Sequence, residues 1–358
     1  MLLRKNHQTP VSPGRGFGLV LAVVLAAALV FTGCQTDAED EPPVKEPKTW
    51  TAAANTAAGN FTGLAYGKDV FVAVTNAQEI FWSADGETWQ TATAGYADLM
   101  STTNQYVYFL NDQFVLVDRG GAGGNWAKST DGKTWTKIAG APAARAAGGG
   151  AFGNETYVIG SNGSTVYTSV DLAAWTAKEA TGVSRTSGET TVPINWINSL
   201  AYGKGQYVIG GGGGLIAHSG DLDAWEIISW AKSADLFGTG NNDYVNQIVF
   251  SADKGLFMAV GGPSGGQAIA VSSQDGITWD QTGDIQIGTN DNRIYLGYGA
   301  GVFLTAFGSL ASYTTDAYTW TPVTDTKFGT NAINAIAYGA GRFVMVGGGG
   351  TIAYSIPE

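Results

Sequence analysis

The sequence predicts an all-β fold: a seven-bladed β-propeller of four-stranded antiparallel blades, closed by the N-terminal strand completing the last blade. Three observations carry this. The stretch Ser83-Ala84-Asp85-Gly86-Glu87-Thr88-Trp89 returns in six versions, with Trp-to-Trp spacings of roughly 40 to 54 residues, the period of a propeller rather than of an ordinary core. Between the copies lie short apolar runs punctuated by turn residues, the grammar of small antiparallel sheets. One further copy is split between the two ends of the domain.

Taken in order, the chain begins with a segment that does not belong to the fold. Arg4, Lys5 and Arg15 precede an uncharged apolar run from Phe17 to Phe31. That run is long for a signal core and short for a membrane-spanning helix. It ends at Phe31-Thr32-Gly33-Cys34, which resembles a bacterial lipoprotein signal with Cys34, the single cysteine, as the lipidated new N-terminus. An ordinary secretory signal with an incidental cysteine is the alternative. Residues 1–33 are therefore read as signal. Gln35 follows the cysteine where an Asp would resemble an inner-membrane retention signal, so the outer membrane or cell surface is expected.

Residues 34–47 are acidic, Pro-rich and without apolar periodicity, as a solvated tether should be. Its 13 residues after Cys34 would reach roughly 40 Å at about 3.3 Å each. The whole chain carries 19 basic and 30 acidic residues, a net charge of −11. Without residues 1–33 the basic count falls to 16 and the balance to about −14. Such a charge opposes nucleic acid and anionic lipid as partners, leaving the lipid on Cys34 as the only expected membrane contact.

Residues 48–358 are read as one repeat domain. In the first unit, Leu64 to Asp69 is a strand entering a tight turn, Val70 to Val74 a second strand, and Glu79 to Ser83 a third. The Asp-Gly turn leads to a last strand beginning at Thr88-Trp89. Full copies of the turn are Ser129 to Trp135 and Ser273 to Trp279; Thr314 to Trp320 lacks only the Gly. Ser169 to Trp175 and Ser219 to Trp225 are looser copies. Many of the 52 glycines fall at such turns, where a residue without Cβ adopts positive φ cheaply. The seventh unit stops after Thr351 to Ser355, and Lys48-Thr49-Trp50 supplies a Thr-Trp with no unit before it. Joining the two closes the ring and removes exposed end blades.

Ser-x-Asp-Gly-x-Thr-Trp resembles the Asp-box, or BNR repeat, of sialidase-like propellers and of seven-bladed photosystem-assembly-factor relatives. The resemblance spans residues 48–358 and implies that each copy is the turn between third and fourth strands. Asp85, Asp131, Asp171, Asp221, Asp275 and Asp316 are then expected to accept backbone N–H groups within their turns. Trp89, Trp135, Trp175, Trp225, Trp279 and Trp320 are expected to bury indole faces between blades. Copies on different blades cannot converge on one substrate, so a structural role is expected.

The links between blades and the turns joining second to third strands should share the opposite face, where the longer segments fall. Three links repeat a Gly-Thr signature: Gly238 to Asp243, Gly288 to Asn292 and Gly329 to Asn331. First strands begin with amides at one aligned position, Gln105, Asn198, Asn246 and Asn334. Trp196, Trp230 and Tyr244 add aromatic faces; Arg145, Arg185 and Arg293 add cations; Asn241, Asp243 and Asp291 lie in the links. Amides and aromatics on a concave mouth suit a protein segment or a glycan. Loop residues that bind only water are the alternative.

Sialidases imply a second function class. Arg145, Arg185 and Arg293, with Glu189 and Asp291, would have to converge, and the Arg-Ile-Pro-type motif of those enzymes is missing from the sequence. Their six blades are a further difference. His7 and His218 offer no catalytic pairing, no His/Cys spacing suits a metal, and Asn241 to Asp243 completes no calcium loop. No cofactor and no catalytic residue is expected. The preferred expectation is a lipid-anchored, non-catalytic module binding a protein or glycan, with an envelope assembly or scaffold factor as the alternative.

Overall fold

The computed structural model of the chain describes residues 46–356, except 93–104, 119–123, 144–145, 188–189, 195, 231–236, 238–242, 263–266, 284 and 286–292. Seven antiparallel sheets form the seven blades. Blade 1 comprises Phe61–Gly67, Val70–Thr75, Ile80–Ser83 and Gln90–Thr91, in that order from the axis outward. The innermost strands of blades 2 to 7 are Gln105–Leu110, Ala146–Gly153, Ile197–Gly203, Tyr244–Ser251, Ile294–Gly299 and Ile333–Gly339. Each innermost strand packs against the next, and that of blade 7 packs against that of blade 1. The ring is closed.

The closure is the expected one. Thr49–Ala52 pairs antiparallel with Ile352–Ile356, Trp50 opposite Ser355, as the fourth strand of blade 7. Trp50 is 2% exposed, and its indole N–H donates to the Pro47 carbonyl at 2.8 Å. The Ser355 hydroxyl accepts from the Phe343 N–H at 2.9 Å. Packing extends to Glu46, whose carboxylate accepts from the Tyr313 hydroxyl at 3.0 Å, so the end of the expected tether is docked.

The apolar interior is distributed rather than central. Its seven clusters lie one between each pair of adjacent blades. Between blades 7 and 1, for example, Val344, Val346 and Ile352 meet Phe71, Phe81 and Trp89. A second contact repeats nearer the axis. Phe109, Tyr202, Phe250, Tyr338 and Tyr66 lay their rings on Gly67, Gly153, Gly203, Gly299 and Gly339 of the preceding blades. A Cβ at any of these glycines would meet the ring closer than 3.0 Å, so the neighbouring aromatic dictates the glycine.

The five Ser-x-Asp turns and Thr314-Thr315-Asp316 share one use of the Asp: it accepts from the two N–H groups that follow and from the hydroxyl two residues before it. In the first, Asp85 Oδ1 accepts from the Glu87 and Thr88 N–H groups, each at 2.8 Å. The Ser83 hydroxyl accepts from the Gly86 N–H at 2.8 Å and donates to Asp85 at 2.9 Å. Gly86, Gly132 and Gly276 have φ of 78°, 72° and 79°; Leu172, Leu222 and Ala317 accept the same conformation at 62°, 68° and 69°. The substitution has a cost. Trp89, Trp135 and Trp279 donate their indole N–H to the turn glycine's carbonyl, whereas those of Trp175, Trp225 and Trp320 are buried without a partner.

Candidate functional site

Antiparallel order puts the Ser-x-Asp turns on one face and the starts of the innermost strands on the other, here called the loop face. Just inside that face the axial channel holds a cavity of about 130 Å³. Its polar lining comes from six blades: Thr62, Tyr106 and Tyr108, Asn198, Asn246 and Gln247, Arg293 and Tyr295, and Asn334.

A β-bulge aims several of these groups. In blades 1, 4, 5 and 7 the register of first to second strand skips Thr62, Asn198, Asn246 and Asn334. The extra residue escapes the ladder, and its side chain turns to the channel. Asn334 Nδ2 donates to the Phe61 carbonyl at 2.8 Å and Asn198 Nδ2 to the Val245 carbonyl at 3.4 Å, both across a blade boundary. Asn246 Oδ1 is buried and has no hydrogen-bond partner.

Blades 2 and 6 have no bulge, and there the count shifts by one. Gln105 pairs with Asp118 and is 1% exposed, at the buried position that Phe61 and Ile197 occupy in other blades. Tyr106 and Tyr108 face the channel in its place, their rings 6.4 Å apart. The alternation Gln-Tyr-Val-Tyr is the sequence signal for this, since residues two apart share a strand face. Glycines of blade 3 make the room: a Cβ at Gly150 would meet the Tyr108 ring at 2.9 Å.

Arg293, just before the innermost strand of blade 6, is half-buried and donates to the Tyr106 hydroxyl, with Tyr295 as a second phenol partner. Burial works against its charge, and the two phenols beside it more than offset that, raising its pKa above the usual arginine range. Burial also raises the tyrosines, Tyr295 to about 12, so all three stay protonated at neutral pH. No Asp or Glu is among the described lining residues. Arg293 is thus the cavity's formal charge, and the Tyr108 hydroxyl beside it is buried without a partner.

The other expected residues disperse. Trp196 is 40% exposed on the loop face, its carbonyl accepting from the Gly212 N–H at 3.0 Å. Asp243 is buried and its carbonyl accepts from the Gly214 N–H; Tyr244 opens the innermost strand of blade 5 and bridges to Gly212. Trp230 departs from expectation. Ser229–Trp230 pairs parallel with Thr278–Gln281, the outermost strand of blade 5, near its Ser-x-Asp turn. The reason is an available edge, which this strand covers. Arg185 sits opposite Val192 in a separate hairpin, Ser184–Ser187 with Thr190–Pro193. Its side chain lies outside the described residues, as do Arg145, Asn241, Asp291 and two of the three Gly-Thr links. The third is described: the Asn331 N–H donates to the Phe328 carbonyl at 2.8 Å.

The repeated aspartates are spread around the rim, each occupied by its own turn. Asp316 is held at about 2: burial opposes the shift, and the Thr319 and Tyr318 N–H groups outweigh it. Among the described residues no group of three His, Cys, Asp or Glu could hold a metal ion.

No protein-family model matches the chain, and no curated protein does. Solved structures do. The chain is similar to YCF48 bound to D1 peptide at 16% identity and TM-score 0.59, over 87% of this chain and 98% of that one. YCF48 from Cyanidioschyzon merolae matches at 13% identity and TM-score 0.59, over 86% and 98%. The computationally designed Ika8 protein matches at 12% identity and TM-score 0.56, over 85% and 98%. At these identities the likeness establishes the propeller fold.

Proposed function

We propose that this propeller is a non-catalytic binding module of the cell envelope, lipid-anchored through Cys34, whose loop face engages a protein partner. The observation that carries the reading is the cavity beneath that face, where Asn246 Oδ1 and the Tyr108 hydroxyl are buried without partners. Leaving such groups unpaired costs about 1–3 kcal/mol each, which a ligand bonding to both would recover. A propeller of the same fold, YCF48, has been solved with a D1 peptide bound, which favours a protein segment over a glycan.

Two features support a binding rather than a hydrolytic role. The Ser-x-Asp motifs, which we assign to the Asp-box type, use their carboxylates as turn acceptors. The cavity's described lining offers amides, phenols and one guanidinium, without the carboxylate pair that glycoside hydrolysis needs. Trp50 lies at the Ser-x-Asp end of its strand, opposite Ser355, so the first strand of the domain starts on the face opposite the cavity mouth. The test is crosslinking in the native envelope followed by purification. A protein partner retained by the wild type and lost with Asn246→Ala and Trp196→Ala supports the reading; identical profiles contradict it.

A further inference from the structure

Arg293 is a cation in an otherwise neutral pocket. Its described partners are phenols, Tyr106 and Tyr295, both protonated at neutral pH, and no described carboxylate shares the cavity. A guanidinium carries five N–H donors in a planar fork, and two phenol oxygens leave part of that fork open. Beside it lie an unused hydroxyl donor, Tyr108, and an unused acceptor, Asn246 Oδ1. The three groups reach the same space from blades 6, 2 and 5.

We propose that the channel is a carboxylate site for a polypeptide ligand, which rests on the binding-module reading above and names the group it captures. The carboxylate takes the open edge of the Arg293 fork and a bond from the Tyr108 hydroxyl. An adjacent peptide N–H donates to Asn246 Oδ1. This set uses each unpartnered group once and neutralises the buried charge. A ligand without a negative charge would bury Arg293 deeper without compensation. The wider chain, with its net charge of −11, disfavours acidic segments on average, and Arg293 offsets this at the channel.

The test is ligand-observed NMR on the full chain in detergent, using N-acetylglycine, which carries one carboxylate and one amide N–H, against N-acetylglycinamide. Saturable binding of the acid is expected, with the amide weaker by about tenfold or more, as a charge-assisted bond implies. Arg293→Gln should abolish the preference. Tyr108→Phe, which deletes a single oxygen and leaves the ring packing, should weaken the acid alone and covers the case in which Arg293→Gln does not fold. Equal binding of acid and amide, no saturable binding of either, or a preference indifferent to both substitutions would overturn the site. Tighter binding of N-acetylneuraminic acid than of N-acetylglycine would overturn the polypeptide assignment. If the acid fails here while Trp196 still governs envelope crosslinking, the binding module stands and only the carboxylate assignment falls.

Discussion

The ring of Tyr66 lies on the backbone of Gly339, joining the first blade to the last across the closure of the propeller. The same wedge, aromatic on glycine, recurs at four other blade boundaries, so it belongs to the repeat and not to the closure alone. At this boundary the Arg342 guanidinium also pairs with Glu87, two residues after Asp85 in its turn, on the outer side of the same interface. Sequence spacing brings these groups together only if the chain circles once.

Gly339→Ala should therefore destabilise the domain by about 1–3 kcal/mol, the usual cost of forcing a methyl into a packed contact. Gly339 does not have a positive φ, so the effect comes from the ring and not from the backbone. Urea unfolding checks this. Adding Tyr66→Ala should recover part of the loss, because the two residues touch; additive losses would contradict the wedge.

Trp50→Ala should cost about 3–5 kcal/mol, as expected for a buried indole removed from an interface. Trp196→Ala, at an exposed indole, should stay within about 0.5 kcal/mol. Thermal melts of the two variants side by side separate a closing strand from a surface residue.

Acid should open the turns. Asp316 is held at about 2 against an ordinary 3.8, and Asp85, Asp131, Asp171, Asp221 and Asp275 are lowered too. A depressed carboxyl pKa contributes stability that is complete above about pH 4 and is lost as pH falls through the folded value. Stability should thus fall between about pH 4 and pH 2. Asp316→Asn should be less stable at pH 7 and show a shallower acid slope, the two proteins converging near pH 2. Parallel pH profiles would contradict the assignment.

If Cys34 carries the anchor, protease added to intact vesicles should cut within residues 181–196, on the loop side, before any Ser-x-Asp turn. Equal protection of both faces would contradict the orientation.

The fold was legible because each unit repeats the same solution: a turn with Ser and Asp acceptors, then a buried Trp. Even the split copy, Ser355 with Trp50, could be matched by residue type. The channel was only half legible. Asn198, Asn246 and Asn334 occupy one aligned position in the sequence, and it is the bulge position of blades 4, 5 and 7. The bulge depends on how first and second strands pair, which residue types do not encode; blades 2 and 6 lack it, and Tyr106 rather than Gln105 lines the channel. Trp230 was out of reach for a related reason: a two-residue edge pairing leaves no periodicity to read.

The proposed recognition surface is the loop face, not the rim of repeated aspartates. The most direct measurement places a photo-crosslinking amino acid at position 196 on the loop face, and separately at position 87 on the Ser-x-Asp face, in the envelope of cells. Discrete protein adducts are expected from position 196 and none from position 87. Adducts from position 87 alone, or the same adducts from both, would contradict it.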